Sequence, residues 1–184
     1  MKLKANKQNT ILTLVCIIIL ALLFSFRDDI KYMKTQSIDL SKENIGGLYL
    51  GQKYGLETTK KIFGDQNRVV GSNERDRKVV QFLGKTFIAV IKIDNNDDTV
   101  IGIILDDSNG SINTSKNINS KSSLEDIVRE YGKNYSKRTW KDFMGSGDGY
   151  AITYIDKKNK YKLEFALSQI NLKEEINSIN LSKY

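Results

Sequence analysis

The sequence predicts an α+β domain built as a tandem αβββ repeat, one antiparallel sheet with its helices on one face, preceded by a single N-terminal transmembrane helix. Three observations lead there. Leu56-Glu57 and Leu124-Glu125 are each followed, after five intervening residues, by an aromatic residue and a glycine, Phe63-Gly64 and Tyr131-Gly132. Each of these segments is trailed by apolar runs of strand length. Residues 8–26 carry no charge and separate Lys2, Lys4 and Lys7 from Arg27-Asp28-Asp29.

From the N-terminus, residues 1–7 read as a cytoplasmic basic tail and residues 8–26 as the anchor. As a helix, that run spans about 28 Å, close to the roughly 30 Å of bilayer hydrocarbon. The small residues that a signal-peptidase cut requires are poorly placed, and Cys16 lies inside the run rather than at its end, against a lipoprotein. The expectation is therefore an uncleaved single-pass protein of the cell membrane with its C-terminal domain extracytoplasmic. The flanking cations are tied, three on each side, so the orientation follows the short basic tail. Residues 27–43 read as a tether, residues 44–107 as the first αβββ unit and residues 108–184 as the second. Together 44–184 form one compact domain.

Within the first unit, Leu56, Thr59, Ile62 and Phe63 recur at helical spacing and Gly64 stops the helix. In the second, Leu124, Ile127, Val128 and Tyr131 do the same, with Ser122 or Ser123 as N-cap and Gly132 as the stop. Strands are expected over 78–83, 86–93 and 99–105, then over 150–155, 160–167 and 175–181. Alternation is clearest in Tyr161, Leu163, Phe165 and Leu167, which share a face opposite Lys160, Lys162 and Glu164. Residues 84–85, 95–98 and 156–159 read as hairpin turns. The spacing between the copies widens steadily: 68 positions from Leu56 to Leu124, 72 from Phe82 to Tyr154, 74 from Phe87 to Tyr161 and 76 from Val100 to Ile176. A second copy that gains residues only in its loops gives that progression.

The helix ending in Phe/Tyr-Gly, the hairpin strands after it and the lead-in Leu48-Tyr49-Leu50-Gly51-Gln52 resemble the β-lactamase-inhibitor-protein-like fold. They also resemble the related small outer-membrane lipoproteins that assist barrel assembly. The resemblance covers about residues 45–184. It departs in having no proline after Gly64 and Gly132 and in lacking the cysteines some members use. It implies protein binding on the open face of a curved sheet, without catalysis.

Composition narrows the chemistry. The 184 residues include no histidine and one cysteine, which removes Ser-His-Asp and Cys-His machinery, His-based zinc sites and thiolate clusters. The formal charge is +7, but setting aside the three tail lysines from 29 basic residues leaves 26 against 22 acidic, a mild +4 with no basic stripe of the kind nucleic acid requires. Gly84-Lys85-Thr86 imitates the end of a phosphate loop, yet Val79 stands where that loop needs glycine. Asp94 to Asp98 imitates a calcium loop, yet Thr99 replaces its glycine and Leu105 its closing glutamate. Asn113-Thr114-Ser115 fits a glycosylation sequon. No catalytic, cofactor or metal residue is nominated, and no small-molecule substrate.

The segment from Trp140 to Gly149 holds the only tryptophan beside a glycine-rich stretch. Trp140, Phe143, Asp148 and Tyr150 are the candidate partner-binding residues, because aromatic side chains bury large areas at little rotamer cost. The alternative is that Trp140 and Phe143 pack into the core. Function is expected to be that of a membrane-anchored extracytoplasmic protein-binding module in the cell envelope, with an inhibitory, immunity or regulatory role and no enzymatic activity. A structural subunit of an envelope complex, such as a conjugation or secretion apparatus, is the other reading.

Overall fold

The structure, a computed structural model, describes Thr13 and residues 31–64, 68–73, 76–141, 148–170 and 173–184. The chain divides into two units, Met1–Lys34 and Thr35–Tyr184, and the architecture that follows is that of the second. A two-stranded ribbon, β1 (Asn44–Ile45) and β2 (Leu48–Tyr49), comes first. Helix α1 (Leu56–Phe63) leads into β3 (Arg68–Asn73), β4 (Arg77–Leu83), β5 (Phe87–Asp94) and β6 (Val100–Asp107). Helix α2 (Leu124–Tyr131) leads into β7 (Ser136–Trp140), β8 (Gly149–Asp156), β9 (Tyr161–Ile170) and β10 (Lys173–Lys183).

The last eight strands form one antiparallel sheet in the order β3-β4-β5-β6-β10-β9-β8-β7. This corrects the expected fold class. Strand makes up 47% of the described residues, the described helices of this unit are two elements of eight residues each, and each helix precedes four strands, not three. Strands β3 and β7 were missed because each lies at a sheet edge with a single partner and needs no apolar face; β7 reads SKRTW. Among the described residues no helix is long and apolar enough to cross a membrane, so the expected N-terminal transmembrane helix is not found. The expected span, 8–26, lies outside the described residues apart from Thr13.

Register relates the two halves residue by residue. Ala89 lies opposite Phe82 and Leu105 opposite Ala89, just as Leu163 lies opposite Tyr154 and Leu181 opposite Leu163. At the centre Leu105 pairs with Ile179 and Ile103 with Leu181. Exchanging the halves maps each of these pairs onto the other, which puts a pseudo-two-fold axis through the Ile104·Asn180 pair.

Both helices cover the same face. Phe63, at the end of α1, packs its ring 5.4 Å from Phe82 and 6.0 Å from Phe87. Tyr131, at the end of α2, sits 5.3 Å from Tyr154 and 5.6 Å from Phe165. Around them Ile91, Ile103, Ile152, Leu163 and Leu181 are fully buried, forming one continuous core. Gly64 and Gly132 stop the helices at φ +89° and +86°, a region that costs residues with a Cβ. The Tyr154 hydroxyl donates to the Gly132 carbonyl at 2.7 Å and so fixes the end of α2 on β8. Helix α2 opens with a reciprocal capping box between Ser123 and Asp126; α1 starts after Gly55 with no side-chain cap.

Two further expectations are corrected. Leu56 is 40% exposed, because it opens the first turn of α1, whereas Thr59 and Phe63 are the buried residues of that helix. Residues 37–43, expected in a tether, are docked. Ser37 bridges Ile155 in parallel, the Ile38 amide donates to the Ile155 carbonyl at 2.8 Å, and the Leu40 amide donates to Asp156 at 3.0 Å.

Candidate functional site

Three buried carboxylates organise the loops on which the sheet depends. Asp107 accepts from the amides of Asn109, Ser111 and Ile112 at 2.9, 2.7 and 3.1 Å. Asp156 accepts from the amides of Leu40, Lys158 and Asn159, each at 3.0 Å, and from the Asn159 side-chain amide at 2.7 Å. Glu43 Oε1 accepts from the amides of Asn44 and Ser115 and from the Ser115 hydroxyl, while its Oε2 lies 3.0 Å from the Tyr131 hydroxyl. A carboxylate only accepts, so the Tyr131 proton points to Glu43, and Tyr131 in turn accepts from Thr114 at 2.9 Å. Burial, and then the Glu43 charge, push the Tyr131 hydroxyl well above the usual tyrosine range and keep it a donor. Each of the three acids is satisfied by protein donors, local for Asp107 and partly from distant segments for Asp156 and Glu43, a structural duty. Among the described residues no group of three or more Cys, Asp and Glu side chains is placed to hold a metal ion.

The sequence-nominated residues lie at one end of the sheet. Trp140 closes β7 and stands opposite Gly149. The pairing is steric: a Cβ on residue 149 would come 2.5 Å from the Trp140 ring and 2.6 Å from the Leu167 carbonyl oxygen, so only glycine lets the indole lie across the strand. Trp140 is half-buried, neither a core residue nor a fully displayed one. Tyr150, opposite Thr139 and Leu167, points to the helix-covered face and is 8% exposed. The period-2 alternation thus sends the two rings to opposite faces. They share the lining of a surface cavity of about 420 Å³ with Lys137, Thr139, Lys141 and Asp148. Phe143 lies outside the described residues, and Asp148 is exposed at the start of β8.

The residues that hydropathy overlooked are the cations. Lys137 holds its ammonium 3.8 Å from the centre of the Tyr150 ring, inside the range of a cation–π contact. Arg138, on the opposite face, is 3.9 Å from Glu164. Lys137, Arg138, Thr139 and Lys141 are all exposed. Their signal in the sequence was a run of like, basic charge without apolar alternation, which reads equally as loop. On the face away from the helices the register also places Ile88, 46% exposed, with half-buried Val90 and Ile104. The site therefore offers an aromatic platform, a ring-supported lysine and an outer strand edge, and no nucleophile–base pair.

No family profile and no curated protein matches the chain. Among solved structures it is similar to the crystal structure of a DUF4309 family protein, YjgB, from Bacillus subtilis subsp. subtilis str. 168, at 16% identity over 75% of this chain and 83% of that one, with a TM-score of 0.43.

Proposed function

We propose that the chain is a non-catalytic protein-binding module of the cell envelope, working outside the cytoplasm and engaging its partner through the β7 end of the sheet. The observation that carries this reading is Trp140, a half-buried indole seated on Gly149 beside three exposed cations on an outermost strand. A large, rigid ring that is already ordered gives up little entropy when a partner covers it, which is how aromatic hot spots arise. The extracytoplasmic placement rests on the basic tail and the uncharged run 8–26 of the sequence.

Crosslinking in living cells followed by purification under denaturing conditions tests the reading. One stoichiometric adduct, present for the unaltered chain and lost for Trp140→Ala, is the expected result. The variant should unfold with a penalty under the about 3–5 kcal/mol of a core tryptophan, since the indole is only partly buried. An adduct that survives Trp140→Ala refutes the proposed surface. A ladder of several membrane proteins would instead mark a structural subunit of an envelope complex.

A further inference from the structure

We infer that the outer edge of β7 receives an acidic, extended segment of the partner protein as a ninth strand of the sheet. This rests on the protein-binding reading and names the chemistry of what binds. Among the described residues, strand β7 ends the sheet order and pairs only with β8. In an antiparallel pair the residues alternate between bonding to the neighbour and turning N–H and C=O away from it. Along Ser136–Trp140, either Lys137 and Thr139 or Ser136, Arg138 and Trp140 therefore offer an outward ladder. Past Ser136, in line with β7 and not on its outer edge, Ser37 bridges Ile155 and Ile38 donates to its carbonyl, so this side of the sheet already takes up one extended segment of the chain.

Charge selects the incoming strand. Lys137 and Lys141 lie toward the helix-covered face and Arg138 toward the other, so a strand laid against β7 meets a cation on each side of the sheet. Side chains directly opposite one another across a ladder attract when oppositely charged and repel when alike. Acidic residues opposite Lys137 and Arg138 and an apolar residue near Trp140 fit this edge. A second copy of the chain does not, since two β7 edges would set cations against cations. The lysines that guard an edge against self-association are the same ones that admit an acidic strand. Glu164, on β9, lies 3.9 Å from Arg138 across β8, a loose contact at an exposed guanidinium that a carboxylate on the added strand would compete for.

The test uses the full chain and three blocked peptides. The first alternates glutamate with valine, the second carries lysine for glutamate, and the third is the acidic peptide N-methylated at every second residue. Binding is followed by Trp140 emission and by amide hydrogen exchange across β7. The acidic peptide should slow exchange at alternate β7 amides, and the lysine and N-methylated peptides should each bind about tenfold more weakly or worse. The K137E/R138E double variant should reverse the preference and take the lysine peptide, which also reports that it is folded. Equal binding of the N-methylated peptide, displacement by inorganic polyphosphate with no protection of β7 amides, or an unreversed preference would overturn the inference. The two proposals fail separately. A cellular adduct that depends on Trp140, together with unprotected β7 amides, removes strand addition and leaves the interface standing; an adduct indifferent to Trp140→Ala removes both.

Discussion

Replacing Tyr131 with phenylalanine tests how the second half of the sheet is held. The ring contacts with Tyr154 and Phe165 survive the change, so only the hydroxyl is lost, and with it the donor to Glu43 Oε2 at 3.0 Å. Glu43 is 5% exposed, and Oε1 keeps its three donors from Asn44 and Ser115. The expected cost is therefore that of one hydrogen bond to a charged acceptor, about 1.5–3 kcal/mol, and not the larger penalty of a wholly uncompensated buried charge. In a domain of this size each kcal/mol lowers Tm by about 2–4 °C. Urea unfolding followed by far-ultraviolet circular dichroism measures it, with Tyr49→Phe as control because Tyr49 is 42% exposed. Tyr131 has a raised folded pKa, from burial first and Glu43 second. Its phenol therefore ionises in the unfolded chain near pH 10, before it does so in the fold, and stability is lost as pH climbs above that value. Tyr131→Phe should abolish that part of the alkaline loss. A penalty within about 0.5 kcal/mol, indistinguishable from Tyr49→Phe, would refute the claim that this hydroxyl anchors Glu43.

Three more perturbations follow from named contacts. Phe63→Ala should cost about 3–5 kcal/mol by urea unfolding because its ring packs on Phe82 and Phe87, while Leu56→Ala, at a 40% exposed position, should cost well under half of that; equal penalties would contradict the placement of α1. Gly149→Val drives a branched Cβ into the Trp140 ring and the Leu167 carbonyl, so Trp140 emission should shift to the red with a loss of about 1–3 kcal/mol; unchanged emission would mean the indole does not lie on residue 149. Ser123→Ala removes the cap of α2 for about 1 kcal/mol. Asp126, held down at about 2 by the Ser123 backbone amide first and then by the Ser123 hydroxyl and Arg129, contributes stability that is full above its ordinary 3.8 and fades as pH falls toward 2. That acid limb should shrink in Ser123→Ala, and an unaltered limb would assign it to other carboxylates.

What was legible in the sequence was whatever the core had to pay for in apolar residues. Tyr161, Leu163, Phe165 and Leu167 alternate because β9 lies between two strands and under α2, and the turns at 84–85, 95–98 and 156–159 stand where strands stop. Edge strands escape that logic: among the described residues β7 pairs with β8 alone and its central residues are exposed, so SKRTW folds as strand with no apolar face. Residues 37–43 escaped it for another reason. They are held by main-chain donors to Asp156 and Ile155 and by Glu43, bonds that hydropathy does not register. Leu56 shows that helical spacing identifies a face without giving depth along it. At the candidate site Trp140 was visible as a lone indole beside glycines, but its separation from Tyr150 onto opposite faces depends on the β7–β8 register, which no local pattern encodes.

The pseudo-symmetry bears on why the proposed binding surface is at one end and not in the middle. Pairing of β6 with β10 consumes the inner edges of both halves, and the equivalent helices fill the same face, so core and centre are constrained twice by one pattern. Among the described residues the outer strands β3 and β7 each have one partner, so the halves can diverge there without disturbing shared packing. Their sequences differ accordingly: β3 reads RVVGSN with one cation, whereas β7 and the residue after it carry Lys137, Arg138 and Lys141 beside the single tryptophan. A duplicated sheet of this kind shares its stability between two halves and leaves one edge to specialise, which is why substitutions at Lys137 and Arg138 should alter recognition while the Phe63 and Tyr131 ring clusters keep the fold.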